Sequence, residues 1–223
     1  ERALAILEEM DLRSVRPNTF SYNAAISACA KSSHWERALR LLMQMQSQET
    51  QPDVISYSAA ISANGEQWER ALDLLKQMHK MGLQPTIITW TSTITACEKC
   101  GKWERCLVIL SEMQAQALRP DVVINSVVAT ACGNEMQWEH ALQILMAMRT
   151  HRVDLDVISC NAAISACDQG KKWELAIAML AEMRVHDLEP DAISFNAAVS
   201  ACAKSEQWES AMRLLSVMRG QGL

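Results

Sequence analysis

Eight cysteines and five histidines give this 223-residue chain its widest chemical options. Cys97 and Cys100 form a C-x-x-C pair, and Cys106 follows closely. Structural zinc needs four ligands, usually two such pairs or one pair with two nearby histidines. No second pair stands at that spacing, so neither a metal nor another cofactor is expected. His34, His79, His140, His151 and His186 are scattered, and no HExxH, GxSxG or glycine-rich phosphate loop occurs. The chain is therefore not expected to be an enzyme. Cys29, Cys97, Cys132, Cys167 and Cys202 recur once per unit of a repeat, which reads as a small buried apolar residue. Free thiols in such numbers suit a reducing compartment.

Three other columns recur with constant chemistry. Asn23, Ser58, Thr91, Ser126, Asn161 and Asn196 are all small amides or hydroxyls. Asn18, Asp53, Thr86, Asp121, Asp156 and Asp191 stand at the boundaries between units. Between them come the bulky apolar residues Phe20, Ile55, Ile88, Val123, Ile158 and Ile193. A polar group, an apolar wedge and a second polar group, once per unit, suit a flat object with polar edges. A nucleobase is such an object, and reading one base per helical repeat with two or three side chains is a known solution for single-stranded RNA. The same residue types also cap helices and close turns. A non-catalytic protein-binding scaffold therefore stands beside RNA binding as the alternative.

The elements that hold these columns follow from the period. Trp35, Trp68, Trp103, Trp138, Trp173 and Trp208 are spaced by 33, 35, 35, 35 and 35 residues. Met10, Met45, Met78, Met113, Met148, Met183 and Met218 run in parallel, as do Pro17, Pro52, Pro85, Pro120 and Pro190. The units are 19–53, a shortened 54–86, 87–121, 122–156 and 157–191, with an incomplete one at 192–223 and the tail of another at 1–18. In 157–191, Trp173, Ala176, Ile177, Leu180 and Met183 step by three or four, a helical stripe. "DQGKK" marks a turn, and Pro190 stops continuation into the next unit. Each unit is thus two helices joined by a turn, and its apolar face must be covered by its neighbours. The fold class is all-α: a right-handed α-solenoid of helix–turn–helix repeats. The Trp and Met series should be buried between units, with Asn23, Thr91 and Asn161 facing an open groove. The short unit loses two residues between Ala63 and Trp68, where Gly65 should support a tighter turn. No apolar run reaches the roughly eighteen residues of a membrane span, so no membrane insertion is expected.

At these residues the chain resembles a pentatricopeptide repeat protein with pure 35-residue repeats. The resemblance covers all 223 residues and rests on "DVISYSAAIS", "DAISFNAAVSACAKSEQWESAMRLLSVM" and the closing "LEPD". It implies sequence-specific binding of single-stranded RNA in a chloroplast or mitochondrion, acting in RNA processing, stability, editing or translation. It implies one base per repeat, read by the Asn23 column with the last residue of the same unit, such as Asp53. Phe20, Ile55 and their counterparts would sandwich the base. By that pairing Asn23/Asp53 suggests U, Thr91/Asp121 and Ser126/Asp156 suggest G, and Asn161/Asp191 suggests U. Ser58/Thr86 matches no standard pair, and Asn196 has no closing partner here, so the implied readout is U-N-G-G-U. Lys31, Lys99 and Lys204 match the family's phosphate-contacting lysine, whereas Glu66, Asn134 and Asp168–Gln169 do not. The formal net charge of −5 opposes backbone binding unless basic groups cluster.

Overall fold

The computed structural model of the protein describes residues 6, 7, 9, 10, 13, 15–32 and 34–220. Among these, twelve α-helices follow one another and no strand occurs. The chain divides into two compact units, Glu1–Cys100 and Gly101–Leu223. The first holds α1 (Thr19–Lys31), α2 (Trp35–Ser47), α3 (Val54–Ala63), α4 (Trp68–Lys80) and α5 (Ile87–Lys99). The second holds α6 (Trp103–Ala115), α7 (Val122–Asn134), α8 (Trp138–Thr150), α9 (Val157–Gln169), α10 (Trp173–Val185), α11 (Ala192–Lys204) and α12 (Trp208–Gly220).

The odd helices of the first unit and of α7, α9 and α11 start differently from the helices that begin with tryptophan. Asn18, Asp53, Thr86, Asp121, Asp156 and Asp191 are their N-caps, each accepting from the backbone N–H three residues on. That satisfies a donor with no partner inside the helix. The tryptophan-led helices α2, α4, α6, α8 and α10 have no side-chain cap, only a glutamate in the first turn, where negative charge is favourable. These helices end in left-handed residues, Glu49, Gly82, Ala117, Arg152 and Asp187. In the first such end, Thr50 N–H reaches Met45 O at 3.1 Å, closing a Schellman-type turn.

Packing explains the residue choice. In the first unit α1 lies against α2 and α3, and α3 against α5; in the second, α9 lies between α7 and α11. Ala25, Ala60, Ala129, Ala163 and Ala198 are fully buried on these helices, and their size allows close approach. Leu42, Leu75, Leu110, Leu145 and Leu180 fill the space beside the tryptophan-led helices. Burying each such leucine contributes about 1.5–3 kcal/mol relative to leaving it in water. No helix among the described residues is long and apolar enough to cross a membrane.

Two expectations need correction. Met45, Met78, Met113, Met148 and Met183 are buried, but Trp35, Trp68, Trp103, Trp138 and Trp173 are only half-buried, and Trp208 is exposed. Tryptophan is the first residue of its helix and sits at the rim beside a turn, where polar groups cover its ring. The Arg70 guanidinium lies 3.9 Å from the Trp35 ring centre, Lys172 Nζ lies 4.9 Å from that of Trp138, and the His140 and Trp103 rings are 5.1 Å apart. The second correction concerns the short unit. Its turn is longer, not tighter: four residues separate α3 from α4, against three between α7 and α8. The helix gives up three residues instead, and Gly65 takes the left-handed conformation at φ 50°.

Candidate nucleic-acid interface

The apolar wedges sit in the first turn of their helices, two residues past the N-cap. Their exposure runs from 56% at Val123 to 80% at Phe20, with Ile55, Ile88, Ile158 and Ile193 between. Six apolar side chains left in water at one repeated position are a patterned feature, not scattered surface residues. Three residues further on, nearly one helical turn, comes the small polar column on the same face. In the first unit Lys31, Ile55, Ser58, Thr86 and Ile88 line one groove of about 370 Å³, floored by Ala30 and Ala59.

Most of the polar column is already hydrogen-bonded. Asn23 Nδ2 donates to Asp53 at 3.0 and 3.2 Å, and Asn161 Nδ2 donates to Asp191 at 3.1 and 3.3 Å. Ser126 Oγ lies 2.9 Å from Asp156 Oδ1 and 2.7 Å from Val122 O. These pairs join the first helix of a repeat to the closing residue of that repeat. Asn23 and Ser126 are consequently 8% and 4% exposed, where open groove positions were expected. The Ser58 hydroxyl pairs with Thr89 Oγ1 at 2.7 Å, which in turn stands 3.0 Å from Thr86 Oγ1. Thr91, in the first unit, donates back to Ile87 O at 2.8 Å. Asp121, in the second, caps α7 through Ile124 N–H at 2.9 Å. Asn196 is exposed.

The two carboxylates bonded to asparagine are electrostatically tuned. Burial pushes the Asp53 carboxyl up, but hydrogen bonds led by those from Ser56 N–H and Asn23 outweigh it and hold the carboxyl below its ordinary range. Asp191 is depressed in the same way: burial opposes, while Ser194 and Asn161 donate. Both carboxylates are ionised at neutral pH and can only accept.

Lys31 and Lys99 are exposed at the ends of α1 and α5. Lys204 differs, because its Nζ lies 2.7 Å from Asp168 Oδ2 in an ion pair. Cys97 is buried, and Cys100 caps α5 with its thiol directed at Glu66 O, 2.9 Å away. The two cysteines thus face different surroundings.

One set of contributors was not singled out as part of a site. Ser56, Thr89, Ser159 and Ser194, the third residues of their helices, are fully buried beside the polar pairs. The Asp-x-x-Ser and Thr-x-x-Thr spacing was visible and signals a capping box. It does not reveal that Ser56 and Ser194 also reach the preceding repeat, where they donate to Asn23 Oδ1 and Asn161 Oδ1.

Solved structures share this fold. Maize PPR10 matches with a TM-score of 0.72 and 24% identity, over 98% of this chain and 32% of that one. PPR10 in complex with an 18-nt psaJ RNA element matches at 0.57 and 18%, over 99% of this chain and 38% of that one. The PPR domain of Arabidopsis thaliana protein-only RNase P 1 in complex with tRNA matches at 0.69 and 16%, over 84% of this chain and 96% of that one. The chain thus spans about a third of the PPR10 chains, and at these identities what is shared is the fold. A search of curated protein sequences gave no significant match. Family profiles match along the sequence: the pentatricopeptide repeat domain over 73–135 and 143–205, the PPR repeat family over 17–65, and the PPR repeat over 55–83 and 193–223. With more than half of its residues under one of these profiles, the chain belongs to the pentatricopeptide repeat family.

Proposed function

We propose that this chain binds single-stranded RNA sequence-specifically, one base per repeat and without catalysis. The observation that carries the reading is the ladder of exposed wedges beside paired polar side chains. A base stacked on Phe20, Ile55, Ile88, Val123, Ile158 or Ile193 would cover apolar surface that is now in water. Stacking on an aromatic side chain contributes about 1–3 kcal/mol per base; the aliphatic wedges offer less. The base edge then meets an amide or hydroxyl and, at most repeats, a carboxylate. Asn161 supplies a donor and Asp191 an acceptor, a pattern that suits uracil's C=O and N–H. Ser126 with Asp156 suits guanine, whose ring N–H and amino group both donate. With Thr91 and Asp121 assigned to G by family resemblance, the readout is U-N-G-G-U, the second base remaining unassigned at Ser58 and Thr86. Lys31 and Lys99 would meet phosphates. By the same resemblance the setting is a chloroplast or mitochondrion, and the task RNA processing, stability or translation.

The test is a base switch at one repeat. Asn161→Ser should turn the preference at its base from U toward G, by about five- to a hundred-fold in the U/G ratio, the size of one matched base-edge contact. Two short RNAs differing only at that base, titrated against the parent and the variant, measure it. An unchanged ratio in a folded variant rejects base reading at this repeat. Indifference to RNA altogether would point to the protein scaffold instead.

A further inference from the structure

Ser56 and Ser194 stand where two repeats meet, and each is fully buried. Each accepts the N–H of its own N-cap, from Asp53 and from Asp191, at 3.1 Å. Each hydroxyl has one proton and two acceptors in reach. One is the cap carboxylate, Asp53 Oδ1 at 2.9 Å or Asp191 Oδ1 at 3.0 Å. The other is the amide oxygen of the preceding repeat, Asn23 Oδ1 or Asn161 Oδ1, and it is the shorter contact in both places. Each carboxylate oxygen already receives a backbone N–H, from Ser56 or Ser194, at 2.9 Å. The shorter contact assigns the proton to the amide oxygen.

We propose that Ser56 and Ser194 are positioning residues that favour uracil over cytosine by occupying the amide oxygens of Asn23 and Asn161. This rests on the base-reading function proposed above. A free asparagine amide can present either its oxygen or its nitrogen to a base. Here the carboxylate holds the nitrogen from one side and the serine hydroxyl holds the oxygen from the other. What the amide still offers is its second N–H, a donor. At C4 uracil carries a C=O acceptor and cytosine an amino donor. An amide held as a donor donates to the first and repels the second. Without the hydroxyl the amide is tethered only through the carboxylate and is free to turn its oxygen toward cytosine's amino group. The arrangement occurs once in each compact unit, in independent surroundings. From the same position in its helix, a threonine hydroxyl reaches the preceding repeat, Thr89 Oγ1 lying 2.7 Å from Ser58 Oγ.

The experiment uses the whole 223-residue chain and short single-stranded RNAs that differ only in the base assigned to Asn161, U or C. The parent should prefer U by about tenfold, within the range of one matched contact, and Ser194→Ala should reduce this to about twofold. Ser194→Thr, which keeps the hydroxyl, should retain the parent ratio. Circular-dichroism melts establish that each variant is folded. Should Ser194→Ala fail to fold, Ser56→Ala read against the base assigned to Asn23 is the second trial. A parent that ignores the base removes the underlying reading. A parent that prefers U, with a folded alanine variant that keeps the full preference, overturns the role of the hydroxyl alone.

Discussion

At the scale of single residues, Asp53 and Asp191 each serve two neighbours. The carboxylate holds the asparagine of its own repeat and caps the first helix of the next. Burial works against ionisation, yet the donors prevail and the carboxyls sit below their ordinary value of 3.8. A carboxyl with a lower pKa in the folded state stabilises the fold above its unfolded pKa and loses that contribution as pH falls through the folded value. The melting temperature of the parent should therefore drop on going from about pH 7 to about pH 3, partly through these two groups. Asp53→Asn and Asp191→Asn keep a competent N-cap but cannot titrate. Their melting temperatures should start lower and fall less over that interval; an equal fall would remove both carboxyls from the acid response. The sequence made the Asn and Asp columns visible because they recur. The resemblance paired them, but it could not show that they bond directly to each other, nor that Asn23 becomes buried in doing so, because recurrence carries no information on hydrogen-bond geometry.

At the scale of helices, close approach and turn geometry make different demands on glycine. A Cβ on Gly133 in α7 would stand 2.7 Å from the backbone oxygen of Ala162 in α9, so two helices would have to separate. A Cβ on Gly65 would meet nothing within 4 Å, but the residue is left-handed at φ 50°. Gly133→Ala should destabilise by about 1–3 kcal/mol through overpacking, and Gly65→Ala by about 1–2 kcal/mol through backbone strain. Gly65→Asn should recover part of the loss, since asparagine tolerates that conformation, whereas Gly133→Asn should be worse than alanine. Urea unfolding of the four variants separates the two causes, and recovery at both sites or at neither contradicts the distinction. Helix starts were legible from capping residues and stripes. The turn of the short unit was not: the count showed two missing residues, but how helix and turn divide that loss depends on the packing of Ala63 and Asn64, both buried.

For the whole molecule, the question is how an acidic chain holds a polyanion. Residues 1–100 carry ten lysines and arginines against eleven acidic side chains, and residues 101–223 carry eleven against fifteen. Two of the three phosphate-contact candidates, Lys31 and Lys99, lie in the first unit. The third, Lys204 in the second unit, is held by Asp168, whose other oxygen is buried without a hydrogen-bond partner. Ala30 and Ala203 occupy the place of Asp168 in their own repeats, so Asp168→Ala should leave α9 intact while freeing Lys204. Each phosphate contact to a single strand contributes about −0.7 to the slope of log K against log salt. With Lys31 and Lys99 engaged, the parent slope should be about −1.4, and Asp168→Ala should steepen it to about −2.1. Lys99→Ala should shift the slope in the opposite direction, by a similar amount, and weaken all RNA sequences alike, because phosphate contacts position the strand without reading it. Affinities measured at four or so salt concentrations give the slopes. Should Asp168→Ala bind with the parent slope while Lys99→Ala flattens it, the Asp168 pair is not what keeps Lys204 from the strand.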